Sequence, residues 1–173
     1  MPTDRRTARR SRLFSFPDPV NEVSARVVAA GVVAMALAAI AFDLRWLTVL
    51  IAYGFVARVL TGPTLSPLGL LATRVVTPRL RAAPKLVPGP PKRFAQGIGA
   101  AFSVTAAVLA LALDRWAAAE AVLALLAGAA FLEAAFAFCV GCRVFALLMR
   151  AGVIPAEVCE RCEDVAGVGR SAA

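Results

Sequence analysis

Four long apolar runs dominate this sequence and limit what it can fold into. They extend over residues 26–42, 46–62, 94–113 and 117–138. A helix rises about 1.5 Å per residue, so about 20 residues cross the roughly 30 Å hydrocarbon layer of a bilayer. The chain is 60% hydrophobic and only 17% charged, whereas a soluble domain carries about 25% charged residues. The sequence therefore predicts an all-α membrane protein with four transmembrane helices.

Two short connections predict that these helices form two hairpins. Each connection contains an aspartate, an arginine and a tryptophan, in the segments 43–46 and 114–116. An internal repeat would explain the match. The preference of Trp for the membrane interface and of charges for water explains it without a repeat and is the stronger explanation. Both explanations stay open at this point.

The distribution of basic residues predicts the orientation of the spans. The formal net charge is +8, and the arginines and lysines concentrate in the tail 1–24 and in the proline-rich loop 63–93. Under the positive-inside rule, both termini and this loop lie on the cytoplasmic side of the membrane. Contact with anionic lipid accounts for the charge, and no nucleic-acid recognition motif is present.

These features divide the chain into three regions. A basic cytoplasmic tail, 1–24, precedes a four-helix transmembrane domain, 25–142, and a cytoplasmic Cys-rich segment, 143–173, follows it. Within the loop 63–93, the prolines predict a short interfacial helix between Leu65 and Val76. They also predict a stiff connector at residues 88–91, before the third span.

The four cysteines of the chain form two C-x-x-C pairs, Cys139/Cys142 and Cys159/Cys162. This spacing is typical of tetrahedral metal sites and close to that of dithiol redox motifs. Under the predicted topology the first pair emerges at the cytoplasmic boundary, where a permanent disulfide is disfavoured. Three possibilities remain: thiol exchange or sulfur carriage at Cys139 and Cys142, a zinc ion held by all four sulfurs, and inert thiols.

The charges near each pair favour the first as the nucleophile. Acidic residues surround the second pair and raise its thiol pKa values, whereas Arg143 beside Cys142 lowers the pKa of that thiol. Gly141 permits a bend between Cys139 and Cys142, and without a bend the two lie on one helical face. A turn at Gly152 can fold the second pair back towards the first.

Two ionisable residues fall inside predicted spans, where a charged side chain costs free energy and is usually functional or paired. Glu133 lies in the fourth run and Arg58 near the cytoplasmic end of the second. The simpler interpretation is an intramembrane Arg58–Glu133 ion pair between two helices. The alternative is that Glu133 is a proton site near the cysteines. The chain has no histidine, so a Cys–His hydrolase is excluded, and no phosphate-binding or dinucleotide motif is present.

Two segments resemble a known family. Residues 90–99, which contain Lys-Arg-Phe-Ala-Gln at 92–96, and residues 132–145, which contain Cys-Val-Gly-Cys at 139–142, resemble the bacterial, mainly actinobacterial, membrane-protein family called domain of unknown function 4395. The resemblance extends over about residues 21–145. The resemblance implies a location in a bacterial cell (inner) membrane and makes thioredoxin-like or sulfurtransferase proteins plausible partners. The family has no assigned activity.

Three functions follow as expectations. The first is a membrane protein that handles thiols or sulfur, by disulfide or persulfide exchange at Cys139 and Cys142 with such a soluble partner. The second is a non-enzymatic scaffold with a structural zinc knuckle at Cys139, Cys142, Cys159 and Cys162. The third is a component of a small-solute transporter.

Overall fold

The computed structural model describes residues 16–80 and 83–159. Within them the chain is almost entirely helical, as the sequence predicts. The helices are α1 (Glu22–Ala41), α2 (Leu47–Thr61), α3 (Pro67–Leu71), α4 (Thr77–Arg79), α5 (Gly89–Ala107), α6 (Trp116–Phe136) and α7 (Val140–Arg150). One π-helical turn, Ala72–Val76, joins α3 to α4, and another, Val108–Ala112, extends α5. A 3-10 helix, Ala156–Cys159, and two short strands, β1 (Val20–Asn21) and β2 (Leu86–Val87), complete the fold.

Three helices are long and apolar enough to cross a membrane. They are α1, α6 and the helix Gly89–Ala112, which is α5 with its π-helical turn. Helix α2 is apolar but has 15 residues, which is about 22 Å at the usual rise. Many large apolar side chains of these helices are exposed on the protein surface, among them Leu37, Leu125 and Phe131. Such a surface suits lipid rather than water.

The four apolar helices pack side by side around a core of small residues. Helix α1 packs chiefly on α6 and α2 chiefly on α5, while α5 also contacts both α6 and α7. Ala36, Ala106 and Ala119 are fully buried in this core. Small side chains allow membrane helices to approach closely and to gain van der Waals contact.

The two tight turns, which follow α1 and precede α6, are bound to each other. Trp116 Nε1 donates a hydrogen bond to Asp43 Oδ1 at 2.7 Å, and Arg45 forms a salt bridge with Asp114. Asp43 and Asp114 both adopt the left-handed backbone conformation, with φ of 51° and 48°. The two turns therefore share a left-handed aspartate as well as their residue types, and the internal repeat stays a prediction.

The segment between α2 and α5 is more ordered than the predicted loop. Ser66 caps α3 by accepting a hydrogen bond from the Gly69 backbone N–H at 3.2 Å. The predicted short helix is therefore present, and it packs against α1. Strands β1 and β2 pair antiparallel, and Lys85 forms a salt bridge of 2.7 Å with Glu22. The start of α1 is thus fixed to the residues that precede α5.

Several helix boundaries differ from those predicted. Helix α1 begins at Glu22, where Asn21 caps it by accepting a hydrogen bond from the Val23 backbone N–H. Helix α5 begins at Gly89, so the predicted stiff connector is instead its first turn. Proline is accepted in the first helical turn because the N–H groups there have no partner within the helix. The remainder of the predicted N-terminal tail, residues 1–15, lies outside the described residues.

Candidate functional site

The first cysteine pair lies at a sharp break between α6 and α7. Helix α6 ends at Ala137, whose φ of 56° is left-handed. The Ala137 N–H donates to the Glu133 carbonyl oxygen and the Phe138 N–H to the Leu132 carbonyl oxygen, which closes the helix. The chain can then turn at once and begin α7. The break places Cys139 at the cap position of a new helix instead of at the end of the fourth span.

Cys139 and Cys142 contact each other at the start of α7. The backbone N–H of Cys142 donates a hydrogen bond to Cys139 Sγ, with a distance of 3.4 Å from N to S. Both residues are free thiols, Cys139 buried and Cys142 half-buried. This arrangement differs from both predicted ones. The chain does not bend at Gly141, and the two sulfurs do not lie side by side on a continuous helix. Cys139 lies just outside the helix and Cys142 just inside it.

The contact makes the two thiols chemically unequal. The Cys142 thiol donates to the Cys139 sulfur, which lowers the pKa of Cys139, and the positive charge of Lys92 lowers it further. The same hydrogen bond, together with burial, raises the pKa of Cys142. A thiolate is the nucleophilic form of cysteine. The expectation that Arg143 lowers the pKa of Cys142 is therefore wrong, and Cys139 is the thiol of this pair that loses its proton more readily. That the pair acts as a nucleophile stays a prediction.

Glu133 pairs with Lys92 and not with Arg58. Lys92 Nζ lies 2.6 Å from Glu133 Oε1, and the two side chains are only 7% and 16% exposed. The predicted Arg58–Glu133 ion pair is therefore wrong. Glu133 does form an ion pair, but the cation is Lys92. Helix α5 begins before Lys92. The Lys92 side chain therefore projects towards α6 from a helix, and not from a loop as predicted. Nothing tests the alternative that Glu133 is a proton site, which stays a prediction.

Arg58 is buried close to the same place, in contact with neutral side chains. Its Nε donates to Gln96 Oε1 at 2.8 Å and its Nη1 to Ser66 Oγ at 3.0 Å. The guanidinium also lies over the Phe55 ring, 4.5 Å from its centroid. Only 5% of the residue is exposed, and Nη2 has no hydrogen-bond partner among the described residues.

Gly141 allows α7 to lie directly against α5. A Cβ atom at this position would be 2.6 Å from both Cα and Cβ of Ala95, closer than such atoms approach in proteins. On the same side of α7, Phe145 packs edge-on against Phe94, with 5.5 Å between the ring centroids. These contacts fix the cysteines relative to Lys92 and Gln96, which lie on α5.

Arg26 of α1 binds the end of α6. Its Nε donates to the Ala134 carbonyl oxygen at 3.0 Å and its Nη2 to the Ala135 carbonyl oxygen at 3.1 Å. Sequence reasoning missed Arg26, Lys92, Gln96 and Ser66 as site residues. Only Lys92 and Gln96 carried a usable signal, because both lie in the motif 92–96, directly after prolines that suit a helix start.

The second pair gives the zinc prediction no support. The predicted turn at Gly152 is present, with φ of 72°, and the chain folds back so that Cys159 packs against Phe145. However, Cys159 is disulfide-bonded, which differs from the free thiols expected of a cytoplasmic segment. A disulfide sulfur is not a thiolate ligand. Cys162 lies outside the described residues. Within residues 16–80 and 83–159, no three His, Cys, Asp or Glu side chains cluster as a metal site would require.

The pKa difference predicts a pH-dependent labelling pattern. In the unmodified protein, Cys139 should react with iodoacetamide with a pH midpoint below the usual thiol pKa of about 8.5. In Cys142→Ala the donated S–H is lost, so the pKa of Cys139 and the midpoint should rise. Mass spectrometry of alkylated peptides over a pH series measures both midpoints. An unchanged or lower midpoint in Cys142→Ala would contradict the assignment of Cys142 as the donor.

Comparison with known proteins identifies a family without an activity. Residues 20–150 match the model of the family described as domain of unknown function (DUF4395). The match includes the motif 92–96, the break at Ala137 and the first cysteine pair, and it ends before the second pair. The comparisons with curated proteins and with solved structures gave no match.

Proposed function

Since the chain belongs to the DUF4395 family, whose description assigns no activity, we propose from the site itself that the protein handles thiols or sulfur. Cys139 and Cys142 exchange disulfides or persulfides with a soluble thioredoxin-like or sulfurtransferase protein. The observation that carries this proposal is the inequality of the two thiols. Cys139 accepts hydrogen bonds from Cys142, and its pKa is lowered, while the pKa of Cys142 is raised.

The inequality supports an order of events. Cys139 attacks the partner's disulfide and forms a mixed disulfide with it, and the displaced partner thiolate takes up a proton. Once its sulfur is in the mixed disulfide, Cys139 no longer carries the negative charge that helps to raise the pKa of Cys142. The Cys142 thiol then loses its proton more readily, attacks Cys139 Sγ and releases the second partner thiolate. The released thiolate is protonated, and a Cys139–Cys142 disulfide remains.

The same proposal includes a topology. Four spans form two hairpins, with α2 as the fourth span beside the three longer helices, and both termini and the segment 63–93 face the cytoplasm. The basic residues of the chain support this orientation, since they concentrate in the tail 1–24 and in the segment 63–93. The short length of α2 is compatible with local thinning of the bilayer. The cysteine pair would then lie at the cytoplasmic boundary of the inner membrane, within reach of a soluble partner.

A trapping experiment tests the exchange. In Cys142→Ser the resolving thiol is missing, so we expect a mixed disulfide between Cys139 and a partner to accumulate in cells quenched with acid. Cys139→Ser should give little adduct, because the pKa of the remaining thiol is raised. Non-reducing gels and mass spectrometry identify the adduct, and Cys139→Ser/Cys142→Ser is the control. If no variant gives an adduct and both thiols are unreactive in the unmodified protein, the exchange proposal is wrong.

The zinc scaffold and the transporter component stay predictions, and other measurements separate them from exchange. A zinc knuckle predicts about one zinc per chain, lost on Cys142→Ser and on Cys159→Ser alike. A transporter predicts solute flux into proteoliposomes that persists in Cys139→Ser/Cys142→Ser. Thiol exchange predicts neither bound zinc nor solute flux.

A further inference from the structure

A cavity of about 330 Å³ lies beside the first cysteine pair. Cys139 lines it together with residues of α1, α2, α5, α6 and α7, most of them apolar. The other polar side chains in its wall are Arg58, Gln96 and Glu133. The volume is at the lower end of the range of about 300–1,000 Å³ for small-molecule sites. It suits a compact ring better than a protein segment.

Arg58 gives this cavity an unused hydrogen-bond donor. The residue is 95% buried, since only 5% of it is exposed, and its Nη2 has no partner among the described residues. A buried donor without an acceptor destabilises the fold, and more so when it is charged. Glu133 is the one carboxylate in the cavity wall, and it is already paired with Lys92. Nη2 is shielded from the cavity, so the guanidinium must shift slightly before an oxygen acceptor on a bound molecule can satisfy it.

The cavity opens towards the apolar outer surface of the helices. Phe102 of α5 and Leu125 of α6 line it and are also exposed, by 37% and 65%. Both residues belong to helices that are long and apolar enough to cross a membrane. A molecule dissolved in the hydrocarbon layer can therefore enter between them. A small water-soluble anion would gain little binding free energy from such apolar walls.

We propose that the cavity binds the head group of a membrane quinone and that the reduced Cys139/Cys142 pair reduces it to the quinol. This inference rests on the proposed thiol exchange, taken in the direction in which a partner dithiol reduces the Cys139–Cys142 disulfide, and it names the lipid-soluble oxidant that forms this disulfide again. A quinone ring is apolar on its faces and carries carbonyl oxygens, of which one can accept the hydrogen bond of Arg58 Nη2. Its isoprenoid tail would leave between Phe102 and Leu125.

The reaction balances with a quinone as the only oxidant. Cys139 Sγ adds to the ring and forms a C–S bond, and the negative charge passes to an oxygen that Arg58 stabilises. Cys142 then attacks Cys139 Sγ, the S–S bond forms, and the electron pair of the C–S bond passes to the ring. The two protons of the thiols end on the two quinone oxygens. Two electrons and two protons thus convert a dithiol and a quinone into a disulfide and a quinol.

Two variants of α6 provide a matched test. Ala129 lines the cavity, so Ala129→Phe fills it, whereas Ala124 is exposed on the same helix and does not line it. Reduced protein in lipid nanodiscs is mixed with decylubiquinone, and quinol formation is followed by absorbance. The unmodified protein and Ala124→Phe should form about one quinol per chain, since one dithiol supplies two electrons. Ala129→Phe should be slowed by roughly tenfold or more, which is about 1.4 kcal/mol of activation free energy.

A second substrate separates this inference from the exchange proposal. All variants are also tested with glutathione disulfide, which is water-soluble and does not need the cavity. Arg58→Met should slow quinol formation, because it removes the donor that stabilises the charge on the quinone oxygen. Ala124→Phe, which lies outside the cavity lining, should leave both reactions unchanged. If the unmodified protein exchanges with glutathione disulfide but forms no quinol, or if Ala129→Phe matches Ala124→Phe, the quinone inference is wrong and thiol exchange stands. If neither substrate reacts, both are wrong.

Discussion

Replacing Glu133 by Leu or Lys92 by Met is expected to destabilise the protein by about 3–5 kcal/mol, because each change leaves the other charge buried without a partner. The two side chains are 16% and 7% exposed and lie 2.6 Å apart. In the double variant Lys92→Met/Glu133→Leu neither charge remains, so most of the lost stability should return. Unfolding with increasing SDS in mixed micelles measures all three variants.

An exposed ion pair of the same protein serves as the control. Arg45 and Asp114 also form a salt bridge, but their side chains are 42% and 85% exposed. Asp114→Asn, which keeps a residue type that tolerates the left-handed φ of 48°, should therefore cost less than about 1 kcal/mol. If the effects of the two single changes at Lys92 and Glu133 simply add in the double variant, the two charges do not stabilise each other. Such a result would contradict a buried ion pair between α5 and α6.

Gly141→Ala is expected to destabilise the protein by roughly 1–3 kcal/mol and to raise the pKa of Cys139. The added Cβ would be 2.6 Å from both Cα and Cβ of Ala95, so α7 must move away from α5. The movement also takes Cys139 away from Lys92, whose charge helps to lower the pKa of that thiol. SDS unfolding and the pH midpoint of Cys139 alkylation measure the two effects.

Two further substitutions make this prediction specific. Gly97→Ala adds the same atom to α5 at a position with no heavy atom within 4 Å, so it should be neutral or stabilise by up to about 1 kcal/mol. The double variant Ala95→Gly/Gly141→Ala removes the clash with the side chain of Ala95 but leaves the clash with its backbone, so only partial recovery is expected. Full recovery would show that the backbone of α5 does not limit the approach of α7.

The sequence predicted the helices because long apolar runs leave a chain in lipid few alternatives. It predicted the helix ends less well, and one error in a helix end led to a wrong ion pair at the site. The prolines at 88–91 suit a connector, but proline also suits a first helical turn. If they form a connector, Lys92 falls in a loop, and Arg58 becomes the nearest cation for Glu133. Which side chains meet across two helices depends on their rotation and register, which composition does not reveal.

The cysteine pair illustrates a different limit of sequence reasoning. Its spacing predicted a site at residues 139–142, and the local charges favoured this pair over the second, which stays a prediction. The inequality of the two thiols could not be foreseen, because it depends on the helix break at Ala137. Neither glycine nor proline, the usual signals of such a break, occurs in the run 132–138. An alanine in the left-handed conformation leaves no mark in the sequence.

Because Arg26 of α1 contacts the end of α6, helix α1 affects the chemistry of the thiols. The peptide dipoles of a helix place partial negative charge at its carboxyl end and partial positive charge at its amino end. Cys139 lies between two such ends, a few residues after α6 and at the start of α7. Arg26 binds carbonyl oxygens at the negative end and so offsets it, while the positive end stays beside the sulfur. Helix α1 contains no cysteine, yet it helps to create a local field that favours a thiolate at Cys139.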